Sequence, residues 1–136
     1  MGTQSVTSIH HPLLVRDIMT IGVPVCRDDE TCGAVRARQA NHPVPVVVAL
    51  DEDGIACGWL TLVRLAQAAA DERVGAVMEE VIPTVPPDIP AAAAAQLMGD
   101  RHVDYLFLMH DWPGELRPSA VISRQAIERR LADHID

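Results

Sequence analysis

The sequence contains no lysine, because all 11 of its basic residues are arginine. This absence excludes a Schiff-base lysine, the lysine of a phosphate-binding P-loop and the lysine of a protein kinase. Aromatic residues are also scarce, with two Trp, one Tyr and one Phe, so a stacking platform for single-stranded nucleic acid is hard to assemble. The net charge of -8 is a poor match to nucleic-acid phosphates and anionic membranes. We therefore expect no nucleic-acid partner.

Cysteine and histidine form no recognisable ligand pattern. The three cysteines, Cys26, Cys32 and Cys57, include no Cys-x-x-Cys pair, and an odd number of thiols favours a reducing compartment over a disulfide framework. The six histidines are scattered and form no His-Glu-x-x-His motif. We therefore expect no metal and no required cofactor.

Membrane and secretory features are missing as well. No apolar run approaches the roughly 20 residues that a membrane span requires, and residues 1–8 lack the basic and apolar regions of a secretory signal. The composition, 49% hydrophobic and 22% charged, is typical of a globular domain. The expected location is the cytoplasm, with no membrane partner.

The chain repeats itself once. Residues 15–20 and 74–79 place Val and Met at the same positions, at an offset of 59 residues. The offset grows to 62 after a later turn, where residues 58–61 align with residues 120–123. Two copies are too few for a solenoid and predict a pseudo-symmetric pair of repeats.

Each copy predicts the element order β-α-β-β-α. A short extended segment begins at proline, an acidic residue opens a helix, and a near-continuous apolar run then predicts a strand buried on both faces. A turn and a second strand follow, and Thr61 and Ser123 are the predicted N-caps of two closing helices. The predicted strands include 24–26, 44–50, 83–85 and 103–109, the turns are 51–54 and 111–114, and the helices are 31–40, 62–70, 91–98 and 124–134. The acidic openers are Asp28 or Asp29 for helix 31–40 and Asp88 for helix 91–98.

These motifs resemble a tandem pair of CBS domains, the regulatory module named after cystathionine β-synthase. The matching segments are 15–20, Asp29, Thr31, 44–48, 53–54 and 58–61 in the first copy, and 74–78, 82–85, Gly114 and 121–123 in the second. The resemblance divides the chain into an N-terminal arm (1–12), a first CBS repeat (13–71) and a second CBS repeat (72–134), which together form one CBS-pair domain. It implies an α+β fold in which two pseudo-symmetric β-α-β-β-α repeats pack sheet to sheet.

The resemblance also implies a function. CBS pairs commonly form homodimers, and the clefts between their repeats bind adenosine-containing ligands such as AMP, ADP, ATP or S-adenosylmethionine. They regulate an enzyme, channel or transporter and are not catalysts themselves. For this chain the resemblance implies a stand-alone regulatory protein whose effector is a separate, unidentified protein.

The ligand residues that the resemblance implies are only partly present. In the family a Thr or Ser hydroxyl at the end of the second strand holds phosphate, and an Asp three residues later accepts hydrogen bonds from ribose. Thr61 and Ser123 occupy the hydroxyl positions, whereas Arg64 and Ala126 replace the two Asp residues. Either Arg64 creates an altered anion site, or the nucleoside site is lost and Arg64 points to solvent.

The remaining candidates have two interpretations each. Thr61 and Ser123 either cap helices only or also bind ligand. Trp59 and Tyr105 either stack on a bound base or belong to the core or a dimer interface. Arg124 either adds positive charge to a cleft or is solvated. The candidate ligand-binding residues are Val25, Trp59, Thr61, Arg64, Thr84, Val85, Tyr105, Ser123 and Arg124.

Two other functions compete with ligand sensing. The chain could be a ligand-independent dimerisation or partner-docking module with a vestigial nucleotide cleft, which the missing Asp residues favour. It could also be an enzyme that uses His102, Asp104 and His110, but no nucleophile and no metal-ligand spacing accompany these residues. We expect no catalytic activity.

Overall fold

Two three-stranded sheets with helices packed on them form the computed structural model, which describes residues 12–109 and 118–134. The strands are β1 (Thr20–Ile21), β2 (Val25–Arg27), β3 (Val46–Leu50), β4 (Ala56–Thr61), β5 (Tyr105–Met109) and β6 (Pro118–Ser123). The helices are α1 (Val15–Ile18), α2 (Cys32–Gln39), α3 (Leu62–Gln67), α4 (Val74–Val77), α5 (Ala91–Arg101) and α6 (Arg124–His134). The α+β class that the repeats predict is confirmed.

The two sheets are related by the internal repeat. In the first, ordered β2-β3-β4, β2 runs parallel to β3, and β3 runs antiparallel to β4. In the second, ordered β1-β6-β5, all pairs are antiparallel. A parallel bridge between Thr84 and Phe107 repeats the β2–β3 pairing on β5. We call the body around β2-β3-β4 the first half and the body around β1-β6-β5 the second half.

The opening helix of each repeat packs in the half that the other repeat builds. Val15 and Ile18 of α1 are buried in the core of the second half, with α5 and α6. Val74 and Val77 of α4 are buried in the core of the first half, with α2 and α3. Neither half is therefore made from one continuous repeat, and each completes its core with a segment of the other.

Backbone hydrogen bonds fix this exchange. The Trp59 N–H donates to the Glu79 carbonyl at 3.0 Å, and the Glu79 N–H donates to the Trp59 carbonyl at 2.8 Å. At the equivalent place in the second half, Thr20 of β1 pairs with Val121 of β6. The edge of each sheet is thus completed by the segment that follows the exchanged helix.

A third cluster of buried side chains lies between the sheets. All five residues of β3 are buried, as the apolar run predicts. Val47 and Ala49 face the helices of the first half, whereas Val46 and Val48 join Phe107 of the second sheet. Because side chains alternate along β3, this strand contributes to the core of the first half and to the cluster between the sheets. The predicted packing of sheet on sheet is therefore confirmed.

The prediction that acidic residues cap the central helices is wrong. The N-cap of α2 is Thr31, whose Oγ1 accepts a hydrogen bond from the Ala34 N–H at 3.3 Å. Asp28 instead extends the β2–β3 pairing, because its N–H donates to the Leu50 carbonyl. The helix α5 follows Pro90 without a side-chain cap, so Asp88 does not cap it either.

Carbonyl groups from other segments take the place of the expected caps. The first two N–H groups of α2, on Cys32 and Gly33, donate to the carbonyls of Glu72 and Ala70 at 2.7 and 2.9 Å. The first N–H of α5 donates to the Leu13 carbonyl at 2.7 Å. These acceptors are distant in sequence, so a local capping rule could not find them.

Several predicted boundaries differ from the structure by a few residues. The strands predicted at 44–50 and 103–109 begin at Val46 and Tyr105. The helix predicted at 62–70 ends at Gln67, because Ala68 is extended, and the helix predicted at 91–98 continues to Arg101. The helix at 124–134 and the turn at 51–54 are confirmed. The predicted turn at 111–114 lies outside the described residues.

Membrane spanning receives no support from the helices. Across residues 12–109 and 118–134, no helix is both long enough and apolar enough to cross a bilayer.

The close approach at Gly58 provides a stability test of the exchanged pairing. A Cβ at this position would lie 2.4 Å from Met78 Sδ and 2.8 Å from the Glu79 carbonyl oxygen. We expect Gly58→Ala to lower the free energy of unfolding by about 2 kcal/mol through overpacking, measured by urea denaturation. Gly99→Ala is the matched control, because open space surrounds Gly99 in α5 and alanine there raises stability by about 0.5–1 kcal/mol. Equal effects of the two substitutions would contradict the close approach.

Alkaline pH tests the burial of Cys26. Burial, with a smaller contribution from Glu30, raises the pKa of the Cys26 thiol from about 9 to about 12. Because the folded state keeps this proton longer, the stabilisation is complete below pH about 9 and is lost as pH rises toward 12. The absence of lysine leaves few other groups to titrate in this range. We expect Cys26→Ala to make the decline of unfolding free energy between pH 9 and 11 shallower, and an unchanged slope would refute the assignment.

Candidate functional site

A cleft of about 830 Å³ lies between the two halves. The end of β4 and the start of α3 contribute Trp59, Thr61 and Arg64 from the first half. The connecting segment 79–83 lines another side, and the junction of α5 and β5, residues 101–105, lines the cleft from the second half. We call this space the larger cleft. Its lining therefore depends on both repeats at once.

An aromatic cluster forms one wall of the larger cleft. Trp59 is only 6% exposed, and its indole Nε1 donates to the Val81 carbonyl at 3.0 Å. The ring of Tyr105 meets Trp59 edge to face, with centroids 6.3 Å apart, and Phe107 lies behind it at 5.3 Å. Trp59 therefore belongs to the core and lines the cleft as well, so the two sequence interpretations are compatible.

Thr61 is the N-cap of α3, as predicted. Its Oγ1 accepts a hydrogen bond from the Arg64 N–H at 3.0 Å. A hydroxyl can accept this bond and still donate its own proton. Capping and ligand binding are therefore compatible at Thr61, and the residue lies in the lining of the larger cleft.

Arg64 lines the larger cleft although its side chain is exposed. Its Nε donates to the carbonyl of Val77, at the end of α4, at 3.4 Å. This contact fixes the base of the guanidinium group and leaves its terminal nitrogens for another partner. Arg64 therefore borders the larger cleft, and anion binding by its guanidinium group stays a prediction.

The opposite side of the larger cleft carries charges of both signs. Arg101 is the last residue of α5, and His102 adopts the left-handed conformation (φ 57°, ψ 44°) that reverses the chain into β5. The Asp104 carboxylate forms an ion pair with Arg124, with 3.2 Å between Oδ1 and Nε. Glu79 lies on the connecting segment. The charged groups of the cleft therefore come from three separate elements.

A second space of about 330 Å³, the smaller cleft, occupies the equivalent place on the other side of the pseudo-symmetry axis. Its lining includes Thr20, Val44, Tyr105, Val121 and Ser123. Among the described residues, no Asp, Glu, Arg or His side chain lines it. Equivalent segments of the two repeats thus line the two clefts, which differ in size and charge.

Ser123 repeats the role of Thr61 in the smaller cleft. Its Oγ accepts a hydrogen bond from the Ala126 N–H at 3.1 Å, which confirms the predicted cap. Tyr105 lines both clefts. The structure thus brings Trp59, Thr61, Arg64 and Tyr105 together in the larger cleft and places Ser123 with Tyr105 in the smaller one.

The other four candidates lie outside the lining of both clefts. Val25 packs against the core between the sheets, and Val85 is buried in the core of the second half. Thr84 is exposed and contributes the backbone bridge to Phe107. Arg124 does not line the larger cleft but contacts two residues that do, through its ion pair with Asp104 and its hydrogen bond to the Val103 carbonyl.

Six lining residues of the larger cleft were not among the candidates from the sequence. They are Leu60, Glu79, Val81, Pro83, Arg101 and Val103. The offset of 59 residues aligns Arg101 with His42, just before the central strand of the other repeat. That alignment was the feature of the sequence that could have drawn attention to Arg101. Glu79 and Val81 line the cleft only because the connecting segment pairs with β4.

Metal binding and thiol chemistry find no support in the described part of the chain. Residues 12–109 and 118–134 contain no group of His, Cys, Asp and Glu side chains able to hold a metal ion. Burial, followed by the charge of Asp28, raises the pKa of the Cys57 thiol. His110, one of the residues considered for an enzyme, lies outside the described residues.

Comparisons with known proteins agree with the described fold. The family model for the CBS domain matches the chain twice, over residues 15–71 and 74–133. No curated protein matches the chain.

Three solved structures of similar fold illustrate the agreement. The CBS domain pair of protein MJ0100, in complex with 5′-methylthioadenosine and S-adenosyl-L-methionine, has a TM-score of 0.77 at 18% identity, covering 90% of this chain and 98% of that one. The CBS-domain containing protein ATU1752 from Agrobacterium tumefaciens has a TM-score of 0.74 at 16% identity, with coverages of 88% and 94%. The cytosolic domain of the Mg2+ channel MgtE, in complex with ATP, has a TM-score of 0.68 at 21% identity, with coverages of 84% and 47%.

The cap at Thr61 predicts a stability change that needs no ligand. We expect Thr61→Ala to lower the free energy of unfolding by about 1 kcal/mol, because the Arg64 N–H loses its acceptor. Thr61→Ser keeps the hydroxyl and is expected to stay close to the parent protein. Chemical denaturation of the ligand-free protein measures both. A neutral effect of Thr61→Ala would show that the hydroxyl is not a structural cap.

Proposed function

The chain belongs to the CBS domain family, and on this premise we propose that it is a regulatory module whose larger cleft binds an adenosine-type nucleotide or another anionic small ligand. A separate partner protein detects whether the ligand is bound. The proposal assigns the chain no catalytic step. CBS pairs serve in general as regulatory modules.

The observation that carries the proposal is the composition of the larger cleft. It combines an aromatic wall at Trp59 and Tyr105, a hydroxyl at Thr61 and a guanidinium at Arg64. A mostly apolar cavity with a few convergent polar groups is typical of a small-molecule site. Arginine favours phosphate or carboxylate, because its planar group can donate two parallel hydrogen bonds to either.

Two structures of similar fold support an adenosine-type ligand. The CBS pair of MJ0100 is in complex with 5′-methylthioadenosine and S-adenosyl-L-methionine, and the cytosolic domain of MgtE is in complex with ATP. These three ligands belong to those proteins, and the identities of 18% and 21% support a common fold rather than a common ligand. These bound ligands indicate which compounds to test first.

The position of the cleft suggests how a ligand acts. Both halves line it, so a bound molecule contacts the two bodies at once. A ligand that binds one relative arrangement of the halves more tightly shifts the population toward that arrangement. A partner protein that contacts both halves, or a second copy of the chain in a homodimer, then detects the shift.

A second candidate function follows from the replacement of both ribose-binding Asp residues of the family. Arg64 and Ala126 occupy those positions, and a guanidinium or a methyl group cannot accept hydrogen bonds from ribose. Exposed apolar side chains, Ile21 at 76% and Val63 at 67%, are available for contacts with another protein. A ligand-independent dimerisation or docking module is the alternative.

Thermal melting of charcoal-treated protein tests the proposal. AMP, ADP, ATP and S-adenosylmethionine are each added at millimolar concentration. A ligand at ~100 times its dissociation constant adds about 2.7 kcal/mol of stability, which raises the melting midpoint of a chain of this length by about 10 °C. We expect one of the four to produce such a rise selectively, and Arg64→Ala to reduce it.

Arg129→Ala is the matched control for Arg64→Ala, because Arg129 is exposed on α6 and lines neither cleft. It should leave the ligand-induced rise unchanged. The absence of any rise with all four compounds would contradict nucleotide binding and favour the docking module. Light scattering of the same samples then shows whether the chain associates without a ligand.

A further inference from the structure

The larger cleft is lined by two arginines, one from each half. Arg64 lies in the first turn of α3, in the first half, and Arg101 is the last residue of α5, in the second half. Both side chains are exposed, so both can reach a ligand without the loss of a buried contact. The two halves therefore each present a cation to the same cavity.

One of the two carboxylates that line the cleft is paired with an arginine outside the lining, which leaves one carboxylate for these two cations. Asp104 is already paired with Arg124 at 3.2 Å, and Arg124 in turn donates to the Val103 carbonyl at 3.0 Å. Glu79 is then the carboxylate left to oppose Arg64 and Arg101. With Arg124 counted, three guanidinium groups lie with two carboxylates in and beside the larger cleft, a local excess of one positive charge in a chain with a net charge of -8. Such an excess favours an anionic ligand.

The smaller cleft lacks arginine at both of the equivalent positions. The internal repeat aligns Arg64 with Ala126 and Arg101 with His42. Ala126 carries no charge, and the Nδ1 of His42 is occupied because it accepts a hydrogen bond from the Val44 N–H at 3.0 Å. One cleft therefore has both arginines, and its pseudo-symmetric counterpart has neither.

We propose that the larger cleft selects a ligand with two separated anionic groups, one bound by Arg64 and the other by Arg101. The apolar or aromatic part of such a ligand contacts Trp59 and Val81. This inference rests on the proposed function and names the ligand class of the same site. A ligand of this class joins the two halves, because each of its ends is bound by a different half.

The spacing of the anionic groups decides the affinity in this arrangement. Once one end is bound, the second end is held near the other guanidinium at a high effective concentration. Two anionic groups at the same end of a ligand can both interact with one arginine and leave the other without a partner. Separated groups are therefore expected to bind more tightly than adjacent ones.

A pair of isomers tests the spacing, and the arginine variants described below separate it from the higher charge of the isomer with two terminal phosphates. ADP and adenosine 3′,5′-bisphosphate contain the same atoms and differ in whether the two phosphates are adjacent or on separate ribose oxygens. Isothermal titration calorimetry compares their dissociation constants for the parent chain. We expect the 3′,5′-bisphosphate to bind about tenfold more tightly than ADP, the gain of one charge-assisted hydrogen-bonded pair.

Single substitutions separate bridging from simple charge attraction. Arg64→Ala and Arg101→Ala each leave one guanidinium in the cleft, so each should reduce the ratio of the two dissociation constants to near one. Arg129→Ala should keep the ratio of the parent. Arg64→Lys retains the charge and serves where Arg64→Ala proves unstable, since Arg64 also contacts the Val77 carbonyl; it should lower the ratio because lysine lacks the planar pair of donors.

The outcomes distinguish this inference from the function on which it rests. Equal affinities of the two isomers, or a ratio that persists in Arg101→Ala, would overturn the two-anion site while nucleotide binding stands. If neither isomer binds and none of AMP, ATP and S-adenosylmethionine raises the melting midpoint, the proposed function is wrong and the two-anion site with it.

Discussion

The backbone pairing of Trp59 with Glu79 is the contact on which the remaining structure depends. It attaches the segment after α4 to the edge of β4, while Thr20 and Val121 form the equivalent attachment in the second half. Each repeat therefore completes the sheet and the core that the other repeat begins. Because the exchanged segments cross between the halves, the clefts form where they cross, and neither half can form its cleft alone.

The internal repeat produces two equivalent clefts, and residue differences between the repeats make them unequal in size and charge. Thr61 and Ser123 keep the same capping geometry at 3.0 and 3.1 Å, because a helix start needs an acceptor whether or not a ligand binds. Side chains that do not cap a helix differ between the two repeats, and Arg64 corresponds to Ala126. The features that the two repeats share maintain the fold, and the residues that differ between them make the two clefts chemically different.

The sequence predicted most of the fold, because the signals involved are local. The apolar run through β3, the turn at 51–54 and the caps at Thr61 and Ser123 each depend on a few neighbouring residues, and each is confirmed. The acidic caps at Asp28 and Asp88 failed for the opposite reason. The acceptors that replace them, such as the carbonyls of Glu72 and Leu13, come from distant segments.

The sequence by itself determined the repeat and the order of its elements, since spacing, turns and apolar runs within each copy specify them, and the resemblance to CBS pairs implied the α+β fold. The sequence also placed Trp59, Thr61, Arg64 and Tyr105 among nine candidate ligand-binding residues, without assigning them to one cleft. Only the tertiary structure decided that α1 and α4 change places between the halves and that Arg101 lies with Arg64 in one cleft. The physical reason is that a cleft between halves is a property of long-range packing, which no local pattern of residues contains.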